Sequence, residues 1–366
     1  MTPQRTPSST SQQRKIKLNN LKTRLFNAKT LVLSQTTPYE AIAYYHGSKV
    51  RYYAAAEKRH KEPLVFIAPL AVSMAIYDLY PYRSLVQYFT RQGFDVYLID
   101  WGKFTRRDQE LNFQYFVKEA IPHYVAKIQA HSGSQQISLH GWSMAGIFAL
   151  LYSAQDQAQI VKNLIILGSP IDSYRSGRIG KFYRGLSHSL DRTKLKPFVL
   201  NRIPTVLLHS TGFMNRVGFK VLDPIGLLQG HRQLLNNLDN ETVLQEHATL
   251  GDFLNNMIDY PGGVNRDMLL NVWLQNPLKH GKITLNGIEY NLNTIRSALM
   301  VGAGNNDQMV TKHAVQPLVE LTGSSDVTFT EIPGGHLGLM SSQASSEQFW
   351  PVLAAWLAER SNPVEQ

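Results

Sequence analysis

The chain has 366 residues, 43% of them hydrophobic and 10% aromatic, with 37 Lys and Arg against 27 Asp and Glu for a formal net charge of +10. That length suits one large domain with insertions or two small ones, and no apolar run approaches the roughly 18–20 residues of a membrane span. Cysteine is absent, which excludes disulfides, thiolate metal sites and a cysteine nucleophile, and a cytoplasmic protein is the simplest fit.

The charge is uneven. Residues 1–39 hold Arg5, Arg14, Lys15, Lys17, Lys22, Arg24 and Lys29 and no acidic residue. We read residues 1–36 as a basic, partly disordered leader, with Ser/Thr/Pro/Gln-rich residues 1–13 and a short amphipathic helix from Lys17 to Leu33. A continuous apolar signal core is not expected there. Such a leader is either simply solvated or touches an anionic surface, a membrane or a granule. Nucleic acid is not expected as a partner, because zinc spacing and RNA-binding signatures are missing.

Beyond Thr37-Pro38, strands and helices alternate. Lys49–Ala54 and the apolar run Pro63–Pro69 read as strands. Tyr80–Gln92 reads as a helix closed by Gly93, and Phe94–Asp100 as the next strand. Asn112–His131 follows as a helix, then a strand at Gln136–His140, a helix over 144–156 and a strand at Val161–Leu167. The pattern lapses over 171–294, where prolines at Pro197, Pro204, Pro224 and Pro261 punctuate helix-like segments such as Leu227–Leu238. A long insertion of this kind predicts a mainly helical cap or lid. Alternation resumes with strands at Ile295–Gly302 and Val327–Ile332 and a closing helix at Glu347–Arg360. The sequence therefore predicts an α/β fold whose core, residues 37–170 and 295–366, is a mostly parallel sheet with helices on both faces.

Ile137–Gly146 carries the chemistry. Gly141, Ser143 and Ala145 form a small-x-nucleophile-x-small pattern between a strand and a buried helix. A nucleophile elbow needs small residues there because backbone and helix approach closely. The turn would expose the Ser143 hydroxyl and leave the Met144 amide to bind an oxyanion. Loops after two later strands place Asp307 and His336 at the same sheet edge, and the order Ser143, Asp307, His336 is that of α/β-hydrolases. His336 would act as base and Asp307 as its orienting acid. The second oxyanion donor is expected in the loop Pro69–Ser73, at Ala71 or Leu70. His140, at the strand end, is expected to be packed and hydrogen-bonded. Neither a cofactor nor a metal is expected.

The sequence resembles the polyhydroxyalkanoate synthases, particularly the short class III type. The likeness lies in Pro63-Leu-Val-Phe-Ile-Ala-Pro-Leu70, Tyr77-Asp-Leu79 with Arg83-Ser-Leu-Val86, and Gly93–Gly102 with its Ile-Asp-Trp-Gly string. It continues through the elbow and resumes at Asp259–Gly262, Asn276-Pro-Leu278, Gly281, Leu285-Asn-Gly287, Asp307 and Gly335-His336. The resemblance implies an α/β-hydrolase fold, the same triad placement and acyl chemistry on hydroxyacyl-coenzyme A. In that family the nucleophile is a cysteine at the position of Ser143. A serine oxyester is a poorer acyl donor than a thioester and is open to water. The expected function is a serine-dependent acyl hydrolase or acyltransferase working through acyl-Ser143 on acyl esters, acyl-coenzyme A or polyester. The alternatives are a polyester synthase that tolerates serine and a non-catalytic, granule-associated binding protein. A homodimer is compatible with each.

Overall fold

The computed structural model describes residues 10–33, 37–195, 203–222 and 224–365; the leader's first nine residues, with Arg5, and Pro197 lie outside them. Among the described residues ten strands form: β1 Glu40–Tyr45, β2 Ser48–Tyr53, β3 Leu64–Ile67, β4 Val96–Asp100, β5 Ile137–Trp142, β6 Val161–Leu167, β7 Lys282–Leu285, β8 Ile288–Asn291, β9 Ala298–Gly304 and β10 Val327–Ile332. Eight of them make one sheet in the order β1-β2-β4-β3-β5-β6-β9-β10. The pairs β1–β2 and β2–β4 are antiparallel, and every pair from β4 to β10 is parallel. The central strands are mostly apolar and are buried along their whole length because helices pack around the sheet: every residue of β3, β4 and β5 is buried.

β3 has β4 on one side and β5 on the other. Strand order thus reverses at β3, and the loops after β3 and β5 open into the crevice where an α/β sheet binds its ligands. Those loops carry Leu70, Ala71 and Ser143.

We label the main helices α1 Thr10–Phe26, α2 Leu85–Arg91, α3 Ile121–Ser132, α4 Met144–Ser153, α5 Gly177–Arg192, α6 Gly212–Leu222, α7 Pro224–Asn236, α8 Glu241–Asn255 and α9 Trp350–Arg360. All ten residues of α4 are buried, as expected for the helix that fills the space beneath the sheet's centre. Expected and observed elements differ where local signals competed. The helix expected from Tyr80 begins at Leu85, because Tyr80 and Arg83 pair as an isolated bridge and the Ser84 side chain accepts from Gln87 N at 3.1 Å. The helix expected over 112–131 is interrupted by a π-turn at Phe116–Ala120. β1 was not anticipated. Nor was the β7–β8 hairpin within 171–294, whose Asn286 (φ 48°) and Gly287 (φ 81°) supply the two positive-φ positions of a tight turn.

α1 starts seven residues before the expected Lys17 and lies on α8 and the end of α7. Asn20 Nδ2 donates to Leu238 O at 2.7 Å, Lys17 pairs with Asp239 at 3.6 Å, and Arg24 Nε donates to His247 Nδ1 at 3.3 Å. Leu21 and Leu31 pack on a small cluster of Leu234, Leu238 and Leu244. The same region is tied to the sheet domain by Arg83, whose Nη1 lies 3.0 Å from Glu246 while its Nε donates to Ser341 O at 2.8 Å. Among the described residues no helix is long and apolar enough to cross a membrane.

Candidate active site

Ser143 sits between β5 and α4 with φ 58° and ψ −127°, a conformation that costs about 1–3 kcal/mol for a residue with a side chain. Its surroundings hold it there. Ser143 N donates to Leu167 O at 2.8 Å, and Ser169 Oγ donates to Ser143 O at 2.7 Å. A Cβ at Gly141 would stand 2.6 Å from both Ala145 O and Gly146 Cα. A Cβ at Gly146 would stand 1.9 Å from Ser169 Oγ. The tight approach therefore falls on Gly141 and Gly146, while Ala145 keeps its methyl in the core. The sequence pattern places that closeness at 141 and 145, and the structure bears out the first and moves the second to Gly146.

His336 and Asp307 come from the loops after β10 and β9. His336 Nε2 is 2.9 Å from Ser143 Oγ, and His336 Nδ1 is 2.7 Å from Asp307 Oδ2. Asp307 is fixed from its other side, with Oδ1 accepting from Met309 N and Val310 N at 2.9 Å each. Both carboxylate oxygens are thus occupied, and the residue is only 3% exposed. With Nδ1 protonated toward Asp307, Nε2 is left free to accept the serine proton. Trp142 lies beside the imidazole, ring centroids 5.3 Å apart. Gly168 (φ 55°) lies beside the histidine loop, where a Cβ would stand 2.8 Å from Leu339 Cδ1 and in ordinary contact with the imidazole, 3.5 Å from His336 Cε1.

The loop after β3 is pinned by the Ile-Asp-Trp-Gly string. Trp101 Nε1 donates to Ala68 O at 2.7 Å, just before Pro69. Asp100 in turn receives Arg51 at 2.6 and 2.8 Å and Gly102 N at 3.0 Å. Leu70, Ala71 and Met144 line the same cavity as Ser143 and His336. Ala71 O accepts from Ile258 N at 3.1 Å, which stitches the 258–260 segment to this loop, and Tyr260 O–H meets Met144 Sδ. Asp259 caps α6, its Oδ1 accepting from Gly212 N at 2.8 Å and its Oδ2 lying 3.3 Å from His209 Nε2. Trp101, Asp259 and Tyr260 were visible only as parts of a family-like string; their roles as supports needed the three-dimensional path of the chain.

His140 is fully buried beside Phe66 and Tyr77, and neither ring nitrogen has a hydrogen-bond partner. It is packed as expected but not hydrogen-bonded. Burial pushes its pKa down to about 3, opposed only slightly by its own backbone. Among the described residues, no three His, Asp or Glu side chains gather as a metal site would require.

The model of the α/β hydrolase fold family matches residues 74–343, spanning both the elbow and the histidine loop. The chain belongs to that family. Among curated proteins it is similar to the poly(3-hydroxyalkanoate) polymerase subunit PhaC of Haloferax mediterranei, 29% identical over 89% of this chain and 64% of the relative. It is also similar to the subunits of the same name from Haloarcula marismortui, at 24% over 85% and 63%, and Allochromatium vinosum, at 26% over 81% of each. The chain therefore spans less than two thirds of the two haloarchaeal relatives. Among solved structures it is similar to a soluble variant of monoglyceride lipase from Saccharomyces cerevisiae, with a TM-score of 0.59, 15% identity and coverage of 90% and 97%. At that identity the likeness concerns the fold.

Proposed function

We propose that this chain is a serine-dependent acyl-transfer enzyme of the polyhydroxyalkanoate synthase-like branch, and that Ser143, His336 and Asp307 are its catalytic residues. The observation that carries this reading is the unbroken chain of contacts from Ser143 Oγ through the imidazole to Asp307, at 2.9 and 2.7 Å. His336 Nε2 takes the Ser143 proton as Oγ bonds to the carbonyl carbon of an ester or thioester. The tetrahedral oxyanion is held by the amides of Met144 and of Ala71 or Leu70. When the C–S or C–O bond breaks, the proton on His336 passes to the leaving sulfur or oxygen. Water or an alcohol then attacks acyl-Ser143, giving its proton to the same nitrogen, and as the bond from the acyl carbon to Oγ breaks that proton returns to Ser143 Oγ. Residues 171–294 act as the cap over this site.

Hydrolysis or transfer to a small acceptor is favoured over polymerisation, because an acyl-serine lacks the thioester's readiness to exchange. Asp307 also bears on the choice. With both carboxylate oxygens engaged, it is suited to orienting His336 and not to collecting a proton from an incoming hydroxyl. Polymerisation with a serine nucleophile is the second reading, favoured by the names of the relatives. A cytoplasmic protein that meets acyl-coenzyme A, and a granule or anionic surface that meets the basic leader, complete the proposal.

Incubation with 3-hydroxybutyryl-coenzyme A, together with a fluorophosphonate serine probe, tests it. We expect probe labelling that is lost in Ser143→Ala, and coenzyme A release accompanied by free hydroxy acid. Insoluble polymer would replace the first reading by the second. Absence of both labelling and turnover would remove enzymatic readings altogether.

A further inference from the structure

The cavity above Ser143 has a volume of about 390 Å³. An apolar cavity of roughly 150 Å³ suffices for benzene, so this one has room for on the order of fifteen non-hydrogen atoms. A hydroxybutyryl group, with about six, would leave more than half of it unfilled. The walls are apolar: Leu70, Ile179, Phe219, Met268, Trp273 and Val310 are among them. The two side-chain amides in the wall are largely committed, Asn215 Nδ2 donating to Ile258 O at 2.7 Å and Asn265 Nδ2 to Leu208 O and Ser210 Oγ at 2.7 and 2.9 Å. Ester carbonyls lying along such walls would lose hydration and gain few donors, whereas methylenes lose nothing.

Helix α6 contributes Met214, Asn215, Gly218, Phe219 and Val221 to the lining, the spacing of one helix face. Gly218 stands in the middle of that face. A helix-interior glycine is unfavourable unless something requires it. Here its φ is ordinary and a Cβ would meet no atom within 4 Å. Neither backbone strain nor close packing accounts for it. What a side chain at 218 would take up is cavity space.

We propose that the cavity is a pocket for a medium-length aliphatic acyl chain, about eight to twelve carbons by the volume comparison above, and that Gly218 sets its usable length. The assignment rests on the acyl-transfer reading for the chemistry at Ser143, and it makes the preferred substrate a medium-chain acyl ester or thioester in place of a four-carbon one. Gly185, in α5, serves as a control, because it too has open space around its missing Cβ and does not line the cavity.

Calorimetric binding of butyric acid, decanoic acid and the linear dimer of 3-hydroxybutyrate to Ser143→Ala protein tests the pocket without relying on turnover. We expect decanoic acid to bind at least tenfold tighter than either other ligand. In the same background, Gly218→Leu and Gly218→Phe should weaken decanoic acid at least tenfold and leave butyric acid within twofold. Gly218→Ala and Gly185→Ala should both raise Tm, by about 1 °C, which shows that the helices accept the change, and Gly185→Ala should leave binding untouched. Equal binding of butyric and decanoic acids, tighter binding of the dimer, or decanoic acid affinity unchanged in both Gly218→Leu and Gly218→Phe would overturn the proposal. Decanoic acid binding with no probe labelling of Ser143 in the unsubstituted protein would remove the acyl-transfer reading and leave the pocket in place.

Discussion

Two carboxylate oxygens at Asp307 do different work. Oδ1 is anchored by two backbone amides and Oδ2 faces His336. Asp307→Asn would keep the shape but offer an amide toward Nδ1, favouring the tautomer whose Nε2 carries a proton. We expect kcat on a soluble ester to fall on the order of 10³–10⁴-fold with little change in Tm, checked by steady-state kinetics alongside thermal melts. His140 makes a separate prediction about stability. Its folded pKa is depressed, so below pH 6.5 the unfolded chain binds the proton that the folded chain refuses. Stability is therefore fully present above about pH 6.5 and declines as the pH falls toward 3. By pH 5 the loss from this group should be about 2 kcal/mol. His140→Leu should remove that part of the pH dependence in urea titrations at pH 7 and 5; an unchanged slope would show that the ring is not buried in its neutral form.

At the scale of elements, the leader helix looks dispensable from composition alone, since α1 is rich in Lys, Arg and Asn. The structure gives it a seat. Leu21 and Leu31 cover Leu234, Leu238 and Leu244, and Leu33 N donates to Thr249 Oγ1 at 2.9 Å. Deleting residues 1–33 uncovers these leucines, and we expect a loss of about 2–4 kcal/mol. Short-ester turnover at 25 °C should survive, because no described leader residue lines the cavity. Melting curves and initial rates on the truncated chain check both halves. The same comparison of local pattern with tertiary context explains what was legible. The parallel strands declared themselves as apolar runs ending at glycine or proline, and Ser143, Asp307 and His336 each followed such a run. β1 did not, because Glu40–Tyr45 lies at the sheet edge with mixed exposure. The β7–β8 hairpin could have been found from Asn286-Gly287 between alternating apolar residues. Gly146, by contrast, is demanded by Ser169, a residue from the following strand's end, and that contact exists only once β6 lies beside β5.

Across the whole molecule, the sheet gathers the reactive groups at one edge, the 171–294 segment provides most of the apolar wall, and the positive charge is concentrated in the leader. A net charge of +10 with an acid-free first 39 residues should make adsorption to anionic vesicles salt-dependent, since the Debye length falls to about 3 Å at 1 M. Flotation with and without residues 1–33, at low and high salt, reads this directly; binding that ignores both salt and the leader would place the contact elsewhere. The nucleophile proposed for the reaction centre is an oxygen, that of Ser143, in a protein with no sulfhydryl to substitute for it. The acyl-enzyme is the species on which everything else depends. Rapid acid quench of the protein mixed with acyl-coenzyme A, followed by intact-mass and peptide mass spectrometry, should find one acyl group on the peptide bearing Ser143 and none in Ser143→Ala. Coenzyme A release without that adduct, or an adduct that persists in Ser143→Ala, would contradict a serine nucleophile at the elbow.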